Sequence, residues 1–384
     1  MSNVTRLFLG EYFSQTIAAY TLYAIMFGER GGLSAVQVGT ILGAFSLSTL
    51  AAEIPTGLIA DKISRKYALV ASKLLMALAM ATWLVAPTFT GYRIGIILMG
   101  ISDSLSSGAM QAYLYDNIDN PKRNFSRYNT RLWSVMMAGF LTGSGIAALI
   151  NTRYSQLLLV SMISPIIGSL VFMTLKSDRV LVHDRTVSLL KSSWNHLVNS
   201  KMLLYASAFV ILLKALVDTL IEYIPVYYRD SGVASRYVPL LFFIGNAITI
   251  VLFWYATSIS KFMKRAELRW LVVLLMGFIA SRYFGTVFSV LGIYWFIRFT
   301  RVLYVYEEGE IQHLYESRFR ATITSINSMF VRLTMAIIFP LIGFFSTQYY
   351  DGRVLTPIIV FSALGVGALC IIKIRLRALG KTMS

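Results

Sequence analysis

One cysteine, Cys370, and three scattered histidines, His183, His196 and His313, are the only thiol and imidazole groups in 384 residues. A single thiol excludes an intramolecular disulfide and a thiolate metal site, and the histidines have no metal-ligand spacing. Charge is scarce too, at 14% of residues, with 18 acids against 35 bases. No Gly-x-x-x-x-Gly-Lys-[Ser/Thr] loop occurs and no soluble domain accompanies the apolar stretches, which argues against an ATP-driven pump. A membrane-embedded enzyme would need a catalytic constellation, and neither a paired His-Asp motif nor a metal or cofactor signature is found. The N-terminus has no cleavage signature: Glu11 interrupts its apolar region, so the first span is expected to be retained.

What is abundant is apolar. Hydrophobic residues make up 57% of the chain, and the mean hydropathy is +0.66. Runs of 18 or more apolar residues recur, each long enough to cross a hydrocarbon core of about 30 Å as a helix. Helices, not loops or open strands, satisfy the backbone there. The pattern predicts an all-α polytopic membrane protein with twelve spans, at roughly 6–28, 35–57, 67–87, 92–116, 131–151, 154–175, 202–227, 237–258, 266–286, 289–315, 320–346 and 354–373.

An even number puts both termini on one side. Assigning that side to the cytoplasm leaves 23 Lys and Arg in its segments, against six on the other: Arg30, Arg93, Arg153, Arg229, Arg236 and Arg353. By the positive-inside rule the termini are cytoplasmic. The net charge of +17 then meets anionic lipid at the cytoplasmic face, not nucleic acid.

Between the second and third spans lies Gly57-Leu-Ile-Ala-Asp61-Lys62-Ile-Ser-Arg65-Lys66. It resembles the loop between the second and third helices of the major facilitator superfamily, usually Gly-x-x-x-Asp-[Arg/Lys]-x-Gly-[Arg/Lys]-[Arg/Lys]. Ser64 stands where the family has its second Gly. A degraded copy, Ala256-x-x-x-Ser260-Lys261-x-x-Lys264-Arg265, recurs at an offset of 199, and Leu114-Tyr115-Asp116 recurs as Leu314-Tyr315-Glu316 at an offset of 200. Two matches at nearly one offset support parallel six-helix halves. The expected domains are an N-terminal bundle at 1–175, a cytoplasmic linker at 176–201 and a C-terminal bundle at 202–384. Within the linker Val187, Leu190, Trp194 and Leu197 fall at helical spacing. The reading is an amphipathic helix on the inner leaflet with Trp194 at the headgroups, the alternative being a disordered linker.

In the family such a loop resembles a latch between the halves, which here implies a network of Asp61, Arg65 and Asp116, with Gly57 allowing close helix approach. The alternative is that its basic residues serve only as topology anchors. Glu53-Ile-Pro-Thr-Gly57, together with Ser107-Gly108-x-x-x-Ala112-Tyr113-Leu114-Tyr115-Asp116, looks like a bacterial subgroup often assigned to drug or metabolite efflux, a resemblance that implies a bacterial inner (plasma) membrane. Ile96 stands where efflux members commonly carry Arg. The fifth span has Gly139, Gly143 and Gly145 without the Gly-Pro pair typical of antiporters.

Ionisable groups at membrane depth cost several kcal/mol unless paired or hydrated, roughly 2.5 to 3.5 each on insertion scales. The resemblance implies a central cavity lined by the first, fourth, seventh and tenth spans, and these carry most such groups. Lys214, Asp218 and Glu222 share one face of the seventh span at i, i+4 and i+8. Arg298 and Arg301 lie one turn apart in the tenth. With Tyr20, Tyr23 and Tyr223 as stacking candidates, Lys214, Asp218, Arg298 and Arg301 form the expected substrate site; the alternatives are internal ion pairs, such as Lys214 with Asp218, and an interfacial aromatic belt. Asp103, solitary in mid-span, is the first candidate for proton coupling, with Glu11, Glu53 and Glu222 after it. Lys73, Arg282 and Arg332 are expected to snorkel or pair between helices. Glu307, Glu308 and Glu310 either gate the inner mouth or are solvated where the helix emerges.

The function this supports is secondary active transport of a small organic solute by alternating access, with no cofactor and as a monomer. Proton-coupled export of a drug-like compound or metabolite comes first. Proton-coupled transport, uptake or export, of an anionic or zwitterionic metabolite such as a carboxylate chelator (siderophore) is the alternative, with Na+ as the other possible coupling ion. A non-transporting receptor or scaffold on the same fold would tolerate neutralisation of Asp103 and Asp61. Asp61→Asn is accordingly expected to cripple transport without preventing membrane insertion, and wild-type initial rates at equal protein in the membrane would refute the latch.

Overall fold

The computed structural model describes residues 2–62, 64–176, 187–254, 267–312, 314–315, 320–350 and 353–382, and no strand occurs among them. The helices are α1 (Asn3–Gln15), α2 (Tyr23–Glu29), α3 (Ala35–Lys62), α4 (Arg65–Val85), α5 (Phe89–Asp116), α6 (Pro121–Ile150) and α7 (Tyr154–Met173). They continue as α8 (Val187–Asn199), α9 (Lys201–Asp230), α10 (Val238–Trp254), α11 (Glu267–Ser281), α12 (Thr286–Gln312), α13 (Arg320–Tyr349) and α14 (Leu355–Thr382). Local signals set their ends: Thr88 caps α5, Pro121 opens α6, and Ser200 caps α9.

Eight helices among the described residues are long and apolar enough to cross a bilayer, where twelve spans were expected. The difference has physical reasons. The first expected span is broken into two short helices. The fourth, α5, is diluted by Ser102, Asp103, Ser104, Ser106 and Ser107. The eighth and ninth are described over only 17 and 15 residues. The second copy of the marker loop, Ala256 to Arg265, lies outside the described residues.

The chain divides into two compact units, Met1–His183 with Val233–Ile250, and Asp184–Gly232 with Val251–Ser384. In the first unit α5 packs on α3 and α4, α4 also packs on α7, and α1 packs on α6 and α7. Serines fasten these helices: Ser102 donates to the Ser72 carbonyl at 2.6 Å, and Ser104 meets Thr56 at 2.8 Å. In the second unit α9 is the hub, touching α8, α12, α13 and α14.

The first span is broken in its middle. After Gln15 the helix stops, a 3-10 turn covers Ala18–Thr21, and α2 begins at Tyr23. No Pro or Gly lies between Glu11 and Leu22. The Thr16 hydroxyl donates to the Tyr12 carbonyl at 2.8 Å and competes with the helical ladder, while the Ala19 N–H is taken by Ser161 Oγ of α7 at 2.8 Å. Irregular backbone at this depth needs such partners. Two glycines of α6 let the broken segment come close: a Cβ on Gly139 would lie 2.6 Å from the Tyr12 carbonyl oxygen, and one on Gly143 would lie 3.0 Å from the Ile17 nitrogen.

Gly139→Ala is therefore expected to destabilise the detergent-solubilised protein by about 1–3 kcal/mol, as overpacking does. Gly367→Ala, where an added Cβ meets nothing within 4 Å, should leave the melting temperature unchanged. Equal melting curves for the two variants would show that the α6 contact does not hold the break.

Candidate functional site

Within the first unit the deepest charges are a pair. Glu11 of α1 is fully buried, and its Oε1 lies 3.0 Å from Lys73 Nζ of α4, itself 7% exposed at the side chain. Lys73 also donates to Ser106 Oγ of α5 at 3.1 Å and sits 5.9 Å from the centre of the Phe172 ring of α7. Gln15 donates to Glu11 Oε2 at 3.2 Å. The neighbouring Gly10 makes room for the Phe172 ring, which a Cβ there would strike. Four helices thus converge on one ion pair.

The second unit holds a looser array. Lys214 Nζ and Asp218 Oδ2 are 3.1 Å apart along α9, each side chain about one third exposed (33% and 31%). Lys214 lies 4.9 Å from the centre of the Tyr304 ring of α12. Arg301 is within Coulombic reach of Arg298, Asp218 and Tyr304. Arg298 is 9% exposed, stacks near Tyr294 at 5.2 Å, and its Nε has no hydrogen-bond partner among the described residues. A cleft beside Lys214 is lined by Val210, Ile211, Glu308, Ile311, Thr324, Asn327, Ser328 and Val331.

Other expected site residues fall elsewhere. Tyr23 is buried, stacked on Trp83 at 5.8 Å with Phe27 beside it, and Tyr20 meets Tyr23 and Phe140 edge-on. Tyr223 is buried, and its hydroxyl donates to the Phe339 carbonyl at 2.8 Å. Asp103 is partly buried on α5. Glu222 is partly buried one turn beyond Asp218, and Glu53 is partly buried on α3. Of the expected latch, Arg65 pairs with Asp116 and donates to the Ala112 carbonyl at 3.2 Å. Gly57 and Asp61 belong to α3, and the Asp61 side chain lies outside the described residues.

Sequence reasoning missed two partnerships. Glu307 is not solvated: it is 9% exposed and accepts from Lys373 of α14 at 2.8 Å, and the Lys373 ammonium lies 4.7 Å from the centre of the Phe209 ring. Glu11 and Lys73 lie far apart in the chain, and only the burial of both could have joined them. Trp194 stacks on Phe330 of α13 at 5.9 Å, so the linker helix is fastened by that ring to the second unit. Glu310 has a side chain outside the described residues.

Eight helices long and apolar enough to cross a bilayer, among the described residues of two all-helical units, define a multi-pass membrane protein. The Major Facilitator Superfamily model matches residues 7–306, and the chain belongs to that superfamily. The fold is similar to that of the nucleoside transporter NupG, with a TM-score of 0.78 at 15% identity, covering 97% of this chain and 99% of that one. It is also similar to a POT family transporter in complex with 5-aminolevulinic acid, at 0.75 and 12%, covering 97% and 95%. A D-xylose-proton symporter matches at 0.71 and 10%, covering 96% and 95%. No curated protein sequence matches the chain.

Breaking the Glu11–Lys73 pair from one side leaves an uncompensated buried charge, at a cost of about 3–5 kcal/mol. Glu11→Gln and Lys73→Met are each expected to lower the melting temperature sharply. The double variant should recover most of the loss. Additive losses in that cycle would show that the two groups do not act as a pair.

Proposed function

We propose that the protein is a proton-coupled secondary transporter of a small organic solute bearing a carboxylate, working by alternating access between the six-helix halves 1–175 and 202–384. The observation that carries the reading is the array around Arg298: a guanidinium whose Nε has no partner among the described residues, in Coulombic reach of Arg301, which in turn reaches Asp218 of the Lys214–Asp218 pair, one third exposed. A buried donor without a partner costs about 1–3 kcal/mol, and a carboxylate is the group a guanidinium binds through two parallel bonds. The solute supplies what the fold omits.

In this reading Asp103 and the Glu11–Lys73 pair handle the proton, with Glu53 and Glu222 as further acceptors. Arg65 and Asp116, joined by Asp61 and Gly57, act as the latch. The array favours a carboxylate solute over a general drug-like compound. Export across the inner membrane remains the direction suggested by the resemblance of the Glu53–Gly57 and Ser107–Asp116 segments to efflux proteins.

Everted vesicles with an acidified lumen and a pH dye test all of this at once. Carboxylates added on the outside should alkalinise the lumen in the wild type, meaning antiport and hence export. The response should fall at least about tenfold in Arg298→Ala, the loss of a charge-assisted pair, and disappear in Asp103→Asn. Acidification would reverse the direction to uptake. Equal responses to neutral, cationic and carboxylate solutes would sink the carboxylate reading.

A further inference from the structure

The cleft in the second unit has one feature that the carboxylate site does not use. Asn327 of α13 is 8% exposed, and its Nδ2 donates to the Tyr315 hydroxyl at 2.9 Å, which in turn meets Ser207 at 2.9 Å. That leaves the amide held in one orientation. Its Oδ1 has no partner among the described residues, although Asn327 lines the cleft. An enclosed acceptor of this kind calls for a donor. Glu308 lines the same cleft from α12, and Ser328 adds a hydroxyl one residue beyond Asn327.

An amide oxygen, a carboxylate and a hydroxyl together form an acceptor-rich wall. Such a wall suits an ammonium group, which carries three donors and no acceptor. Opposite charge stands at the rim: Lys214 lines the cleft too. A bare cation would face the Lys214 ammonium, with only the Glu308 carboxylate in the cleft and Asp218 beside Lys214 to offset the repulsion. An ammonium that arrives with its own carboxylate does not, because that carboxylate can pair with Lys214.

We propose that this cleft is a subsite for the primary ammonium group of the solute, with Asn327 Oδ1 and Glu308 as its acceptors, so that the solute class is an amino-acid-like zwitterion. The inference rests on the carboxylate reading above and adds the amine to it. Specificity then comes from leaving a buried acceptor unpaired when the amine is missing, a stronger discrimination than apolar contact provides.

The test is calorimetric binding to the purified full-length protein in detergent, using matched probes: 4-aminobutyrate against butyrate, β-alanine against propionate, and butylamine. The amino acid of each pair should bind at least about tenfold more tightly than its deamino partner, the advantage of a charge-assisted hydrogen bond. In Asn327→Leu and in Glu308→Gln that ratio should fall to about threefold or less. Melting curves identify a variant that fails to fold, and the other then carries the test. Amino and deamino probes binding alike, with or without a sodium requirement, would mean a cleft that holds water or an ion only. That overturns the subsite and leaves the carboxylate site standing, as does a preference that survives in both variants. Binding of butylamine with no binding of any carboxylate would support the subsite and sink the carboxylate reading. No binding by any probe would remove both.

Discussion

A lysine ammonium buried against a glutamate, under a phenylalanine ring, holds each unit together. In the first unit it is Glu11 and Lys73 beneath Phe172; in the second it is Glu307 and Lys373 beneath Phe209. The two arrangements do not correspond by position. The first unit puts the acid on its first helix and the base on α4, whereas the second puts the acid on α12 and the base on the last helix, α14. Each solves one problem by different means: a charge at membrane depth is tolerable only when a partner, a hydrogen bond and a polarisable surface replace water. Much of the local packing follows. Gly10 exists to seat the ring, Gly168 brings α7 close to Ser14, and Ser106 completes the shell of the ammonium.

The broken first span follows from the same crowding. A straight helix from Asn3 to Glu29 would carry every backbone bond internally. Instead the segment around Thr16 gives up helical bonds and takes replacements from Ser161 and its own Thr16 hydroxyl, while Gly139 and Gly143 remove the side chains that would keep α6 away. The glycines that looked like a defective antiporter pattern in the fifth span are thus the seat of a break in the first.

What was legible in the sequence was whatever repeats locally. The apolar runs, the turn of charge at Asp61 to Lys66, and the Lys214–Asp218 spacing could each be read within a few residues, and they led to the superfamily and to one ion pair. The pairings of Glu11 with Lys73 and of Glu307 with Lys373 span 62 and 66 positions, and no local pattern encodes them. Nor did the break announce itself, since its cause lies in α6 and α7 and not in a Pro or Gly of its own. Tyr23 and Tyr223 look alike in sequence as aromatic candidates, yet both are enclosed, one by Trp83 and the other by the Phe339 carbonyl.

Magnitudes separate the charges that hold from those that can switch. Stranding one member of a buried pair costs about 3–5 kcal/mol, whereas the Lys214–Asp218 pair, one third exposed, is worth well under about 1 kcal/mol after screening. A solute carboxylate can therefore take Lys214 from Asp218 at little cost. Glu11 and Lys73 can be parted only if something larger acts on them. A proton moving through the membrane potential releases about 2.3 kcal/mol per 100 mV, so roughly 150 mV reaches the lower edge of that range. Under the proposed function this sets a division of labour. The solute acts on the weakly held charges of the second unit, and the proton on the strongly held pair of the first, where Ser106 and the Phe172 ring stay in place to receive the lysine while its partner is neutralised.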